Sequence, residues 1–148
     1  MAIDRVVHGV AVAALVVIAS GPALAAEPGP DIVIERWSTP TSVAAGSTFT
    51  VVVNLANTGR VTSGKFISEV RLDAPEPAAL RIDPVRWTTE ALRPGQPSQG
   101  ALRLSLPRAA PPGEYVLQVI VDVDHAVAEE NEHNNLAERR LLVTIPAP

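Results

Sequence analysis

Apolar residues in this chain recur at every second position in short runs closed by turn residues, the spacing of half-buried β-strands, and helix signals are almost absent. The clearest run has Phe49, Val51, Val53 and Leu55 alternating with Thr50, Val52, Asn54 and Ala56, and ends in the turn Asn57-Thr58-Gly59. Before it, residues 32–37 form a first strand that stops near Pro40. Phe66, Ser68, Val70 and Leu72 alternate with Ile67, Glu69, Arg71 and Asp73, which predicts a third strand whose charged face points to water. A proline-rich connection follows, then a fourth strand over residues 85–92, a turn at 93–97 and a fifth strand carrying Leu102, Leu104 and Leu106. Pro111-Pro112-Gly113 introduces a sixth strand with Tyr115, Leu117, Val119 and Val121 on one face. Residues 136–146 make a seventh, with Ala137, Arg139, Leu141, Val143 and Ile145 sharing a face. Seven strands with one apolar face each require two stacked antiparallel sheets. Val51, Val53, Leu104, Leu117, Val119 and Leu141 are the expected core.

The N-terminus predicts export. A short polar start carrying Arg5 leads into an apolar run over residues 10–19, Gly21-Pro22 interrupts it, and Ala23-Leu24-Ala25 supplies small residues that a signal peptidase accepts. The expected division is a signal peptide over 1–25, a short linker over 26–30 and one β-sandwich domain over 31–146. The apolar run is shorter than the ~20 residues that span a bilayer, so no membrane insertion is expected after cleavage. The chain has no cysteine, which excludes a lipoprotein anchor, a disulfide and thiolate chemistry, and leaves stability to packing. With a net charge of −4 and Lys65 as its lone lysine, it lacks the clustered cations that nucleic acids or anionic membranes demand. The expected location is secreted or periplasmic.

The dense polar run over residues 122–135 sits between the last two strands as the tip of a long hairpin. Its carboxylates Asp122, Asp124, Glu129, Glu130 and Glu132 are hard oxygen donors of the kind calcium prefers, and Asp122, Asp124, Glu129 and Glu132 are the calcium candidates. The spacing lacks the central glycine and regular ligand alternation of an EF-hand loop. The expected role is therefore structural: Asn131, Glu132, Asn134 and Asn135 bond backbone groups that the missing ladder leaves unpaired. Zinc at His125 and His133 lacks the further ligands such a site requires. Tyr115, just after a Pro-Gly entry, fits a tyrosine corner, and Trp37 and Trp87 fit core filling. No nucleophile elbow, zinc-protease motif, phosphate loop or dinucleotide fingerprint occurs, so no catalytic residue, cofactor or enzymatic activity is expected.

Pro30-Asp31-Ile32-Val33, Gly46, Asn57-Thr58-Gly59, Pro111-Pro112-Gly113-Glu114-Tyr115, Val121-Asp122 and Glu129-Glu130-Asn131-Glu132-His133-Asn134-Asn135 follow one another in an order that resembles the CARDB family (cell-adhesion-related domain found in bacteria). The resemblance spans about residues 30–146 and implies a seven-stranded antiparallel immunoglobulin-like sandwich. It also implies a non-enzymatic binding or adhesion module whose partner is a protein or polysaccharide at the cell surface. The alternative is a structural spacer or an assembly subunit joined through edge strands.

Overall fold

The computed structural model describes residues 27–76 and 80–146; the expected signal peptide lies outside them. Eight strands follow in chain order: β1 (Ile32–Ser38), β2 (Ser42–Ala44), β3 (Thr48–Asn57), β4 (Phe66–Asp73), β5 (Val85–Thr89), β6 (Pro97–Ser105), β7 (Gly113–Ile120) and β8 (Leu136–Thr144). They form a three-stranded sheet in the order β1-β3-β6 and a five-stranded sheet in the order β2-β8-β7-β4-β5. No helix occurs among the described residues.

The expectation of seven antiparallel strands is corrected in two ways. Three residues, Ser42-Val43-Ala44, form an extra edge strand, and it runs parallel to β8 with Val43 opposite Val143. A three-residue segment is too short to show periodicity, and only Val43 of it reaches the core. The expected fourth strand also stops early, at Thr89. Leu92 is diverted from the ladder: its N–H donates to Ser63 Oγ at 2.9 Å, and its carbonyl accepts from Ser63 N at 3.0 Å and Asn57 Nδ2 at 2.8 Å. β6 starts at Pro97, one end of a nine-pair register with β3, where a missing N–H costs least.

The core lies between the sheets. Val51, Val53, Leu117, Val119 and Leu141 are fully buried and Leu104 nearly so, as their alternation requires. On β8 the expected inner face holds only at Leu141 and Val143, whereas Arg139 is exposed and Ile145 projects beyond the strand. β1 carries a bulge between Ile34 and Arg36, and beyond it Trp37 packs partly buried against the core. The Arg139 guanidinium lies 4.7 Å from its ring centroid, so this tryptophan is half-buried and capped by a cation. Trp87 is half-buried too, with its indole against Gly100 of β6, where an added Cβ would come to 3.4 Å from Nε1.

Candidate functional site

The hairpin tip is hydrogen-bonded to the start of the domain. Asp122 leaves β7 with φ at +48°, a left-handed conformation that Asp tolerates, and its buried carboxylate caps the turn that follows. Asp122 Oδ1 accepts from Ala126 N and Oδ2 from Val127 N, both at 2.9 Å, while His125 N donates to the Asp122 carbonyl. Further on, Asn131 Oδ1 accepts from His133 N at 3.1 Å and Glu132 Oε1 from Glu129 N at 2.9 Å. Asn134 and Asn135 behave differently: each side chain donates to a carboxylate rather than bonding backbone. Asn134 Nδ2 reaches Asp31 Oδ1 and Asn135 Nδ2 reaches Glu129 Oε1, both at 2.8 Å, while both amide oxygens are buried without a partner.

Glu129 in turn accepts from Ile32 N, and Glu130 brackets the entry segment by accepting from Gly29 N at 2.8 Å and donating its own N–H to the Pro30 carbonyl at 2.9 Å. Residues 29 and 30, expected in the linker, are thereby bonded into the folded body. Burial raises the Glu129 carboxyl above the ordinary range, helped by the Glu132 and Asp122 charges and opposed by the bonds from Ile32 and Asn135. Of the four calcium candidates, Asp122 and Glu129 have both oxygens bonded, Glu132 adds a 3.8 Å approach to His125 Nδ1, and Asp124 is exposed. Among the described residues no three His, Asp or Glu side chains converge as metal ligands would.

The entry segment is held from the other side by Asn57, a residue the sequence pointed to only as a turn. Its buried side chain makes four bonds: Oδ1 accepts from Asp31 N and Gly59 N at 3.0 Å, and Nδ2 donates to the carbonyls of Val61 at 2.7 Å and Leu92 at 2.8 Å. Gly59 packs so closely that a Cβ there would lie 2.6 Å from the Pro30 carbonyl carbon, so only glycine fits. Tyr115 is fully buried, and its hydroxyl donates to the Pro111 carbonyl at 3.0 Å, which closes the turn into β7. Burial raises its hydroxyl pKa.

The outer face of the five-stranded sheet carries the second set of polar groups. Glu69 of β4 was expected to face water, yet its side chain has no exposed surface because two arginines lie across it. Arg71 Nε and Nη2 donate to Oε1 at 2.9 and 2.7 Å, and Arg86 Nε of β5 donates to Oε2 at 2.7 Å. Burial alone would raise the Glu69 carboxyl, but the hydrogen bonds and charges of Arg71 and Arg86 outweigh it and hold the group below the usual carboxylate range. Arg71 stands opposite Gln118 of β7, which donates to Glu138 of β8, so a polar row crosses four strands. Apolar residues flank it: Leu136 (54 % exposed) opposite Ile120 on one side, and Val116 (39 %) opposite Arg140 on the other, with Leu142 (46 %) beyond the Arg140–Glu114 ion pair. Alternation could show that these residues leave the core; only the register shows that Ile120 and Leu136 adjoin.

The CARDB family model matches residues 29–139. The CARDB domain of a Pyrococcus furiosus protein, solved in complex with di-metal ions, is 20 % identical with a TM-score of 0.64, covering 82 % of this chain and all of that one. A domain of a candidate cell surface protein from Methanosarcina acetivorans is 23 % identical with a TM-score of 0.56, covering 78 % of this chain and 92 % of its own. β-Glucosidase 3B from Thermotoga neapolitana, in complex with glucose, shares 18 % identity with a TM-score of 0.54, but the match takes in 16 % of that enzyme against 76 % of this chain. A search of the curated proteins gives no match. At these identities the solved structures speak for the fold alone.

Proposed function

The chain belongs to the CARDB family, and we propose that it is an exported, non-enzymatic binding module that recognises a protein or polysaccharide at the cell surface. The observation that carries this reading is the composition of one surface. Three of the exposed large hydrophobics, Val116, Leu136 and Leu142, share the outer face of the five-stranded sheet with the ordered row of Arg86, Glu69, Arg71, Gln118 and Glu138. Apolar contact area beside preorganised donors and acceptors is what recognition surfaces combine. The hairpin tip, with most of its polar groups bonded internally, serves as the brace that fixes the end of β7 and β8.

The test is retention of envelope proteins and polysaccharides by the immobilised mature domain. Leu136→Asp should abolish retention, because a charge breaks the apolar side of the face. Arg103→Glu, on the exposed side of β6, should leave it intact. Equal retention by both variants would overturn the outer face as the binding surface. A second reading, an assembly subunit, has support in the β6 edge, whose register with β3 runs unbroken from Thr48↔Ser105 to Ala56↔Pro97. A concentration-dependent dimer lost on Ala101→Pro would favour it.

A further inference from the structure

A cleft of about 540 Å³ opens where the outer face meets the connection between β4 and β5. Its lining includes Glu69, Arg71, Arg81 and Arg86 around the apolar Leu80 and Ile82. Three arginines in one cleft stand out in a chain whose net charge is −4. Among the described lining residues the balance runs the other way, because Glu69 is already neutralised by Arg71 and Arg86, and of these residues Asp73 alone opposes the remaining cations.

The arginines are held ready rather than floppy. Arg71 commits Nε and Nη2 to Glu69, and Arg86 commits only Nε. Nη1 of Arg71 and both Nη groups of Arg86 are left without a partner among the described residues, on guanidinium planes fixed by a buried carboxylate. Fixing the donors in advance removes the ordering cost that normally weakens a surface arginine as an anion receptor. Leu80 and Ile82, both partly buried, supply an apolar wall beside them.

We infer that this cleft binds a carboxylate-bearing saccharide of the uronate type. The planar carboxylate matches the forked Nη donors of Arg86, Arg81 at the rim adds a second charge, and the C–H face of the sugar ring lies against Leu80 and Ile82. Glu69 is a positioning residue: it holds the two arginines and does not touch the ligand. This inference rests on the reading of the outer face as a recognition surface, and names the ligand class for its β4–β5 end.

Digalacturonate, its neutral methyl ester and tetraglutamate are the probes, titrated into the mature domain with amide chemical shifts and calorimetry as readouts. Digalacturonate should bind and shift the amides of Arg81, Ile82, Asp83, Val85 and Arg86, and the ester should bind at least about 10-fold more weakly, the factor that one lost charge-assisted bond supplies. Arg81→Gln is exposed at the rim and leaves the Glu69 cluster untouched, so it should fold normally and lose about 10-fold in affinity. Equal binding of ester and acid, no binding of digalacturonate, an unaffected Arg81→Gln variant, or tighter binding of tetraglutamate would each overturn the inference. If digalacturonate fails while the domain still retains an envelope component through Leu136, the ligand class falls and the binding-module reading stands. If both fail, both fall.

Discussion

Asn134 donates its side-chain amide to Asp31 at 2.8 Å across 103 positions of sequence, so the last hairpin and the first strand share one polar joint. A bond to a charged acceptor in a partly buried joint is worth about 1.5–3 kcal/mol. Asn134→Ala should lower the unfolding free energy by about that amount. If the tip needs no metal, the melting temperature of the mature domain will be the same in chelator and in millimolar calcium. A rise of several degrees with calcium, abolished by Asp122→Asn with Asp124→Asn, would make the tip a metal site instead.

Asn57 should matter more than its place in a turn suggests. Removing its side chain leaves two N–H groups and a carbonyl to find new partners, since Leu92 alone keeps a bond from Ser63. Asn57→Ala should cost about 3 kcal/mol or more, measured by urea unfolding, because each stranded buried group costs about 1–3 kcal/mol. Thr58→Ala, which touches only Asp31 at the surface, should cost less than about 1.5 kcal/mol.

Leu117 is fully buried and opposite Leu72 in the middle of the larger sheet. Leu117→Ala opens a cavity there and should cost about 2–5 kcal/mol. A loss below about 1 kcal/mol would mean that the site collapses around the smaller side chain.

Two glutamates should tilt the pH profile in opposite senses. Glu69 is held below its unfolded value of about 4.3, so its contribution is complete above that pH and is lost as pH falls through the folded value. Glu129 is held above its unfolded value, so the fold binds the proton more tightly than the unfolded chain, and stability declines as pH rises from about 4.3 through the folded value. Glu69→Gln should flatten the acid limb below about pH 4, and Glu129→Gln should flatten the decline above it. Denaturant midpoints measured from acid to neutral pH check both slopes.

Export can be read from one mass. The intact protein recovered from its native host should begin at Ala26 or Glu27, and recovery of Met1 in a cytoplasmic fraction would overturn the expected location.

Strands whose inner face is continuous, such as Leu117 with Val119 and Val51 with Val53, were legible because burial imposes a period of two on the sequence. β2 was not, because three residues carry no period and their pairing with β8 is decided by distant sequence. The burial of Glu69 escaped for a related reason: alternation assigns a residue to a face, and only the register places Arg86 where it can cover that face. The tip showed the same limit. Asn131 bonds a neighbour two residues away and was predictable from local chemistry, whereas the partners of Asn134 and Asn57 come from the far end of the chain or from loops that meet only after folding.

The joint between residues 29–32 and residues 129–135 also sets a timetable. The segment that enters the first strand gains its last bonds only when nearly the whole domain has been synthesised: β3 and Asn57 can pair with it early, but Glu129, Glu130 and Asn134 lie about a hundred positions downstream. Closing so long a loop is slow, and most of the ladder pairings are non-local as well. A chain built this way completes its fold only when its last hairpin arrives.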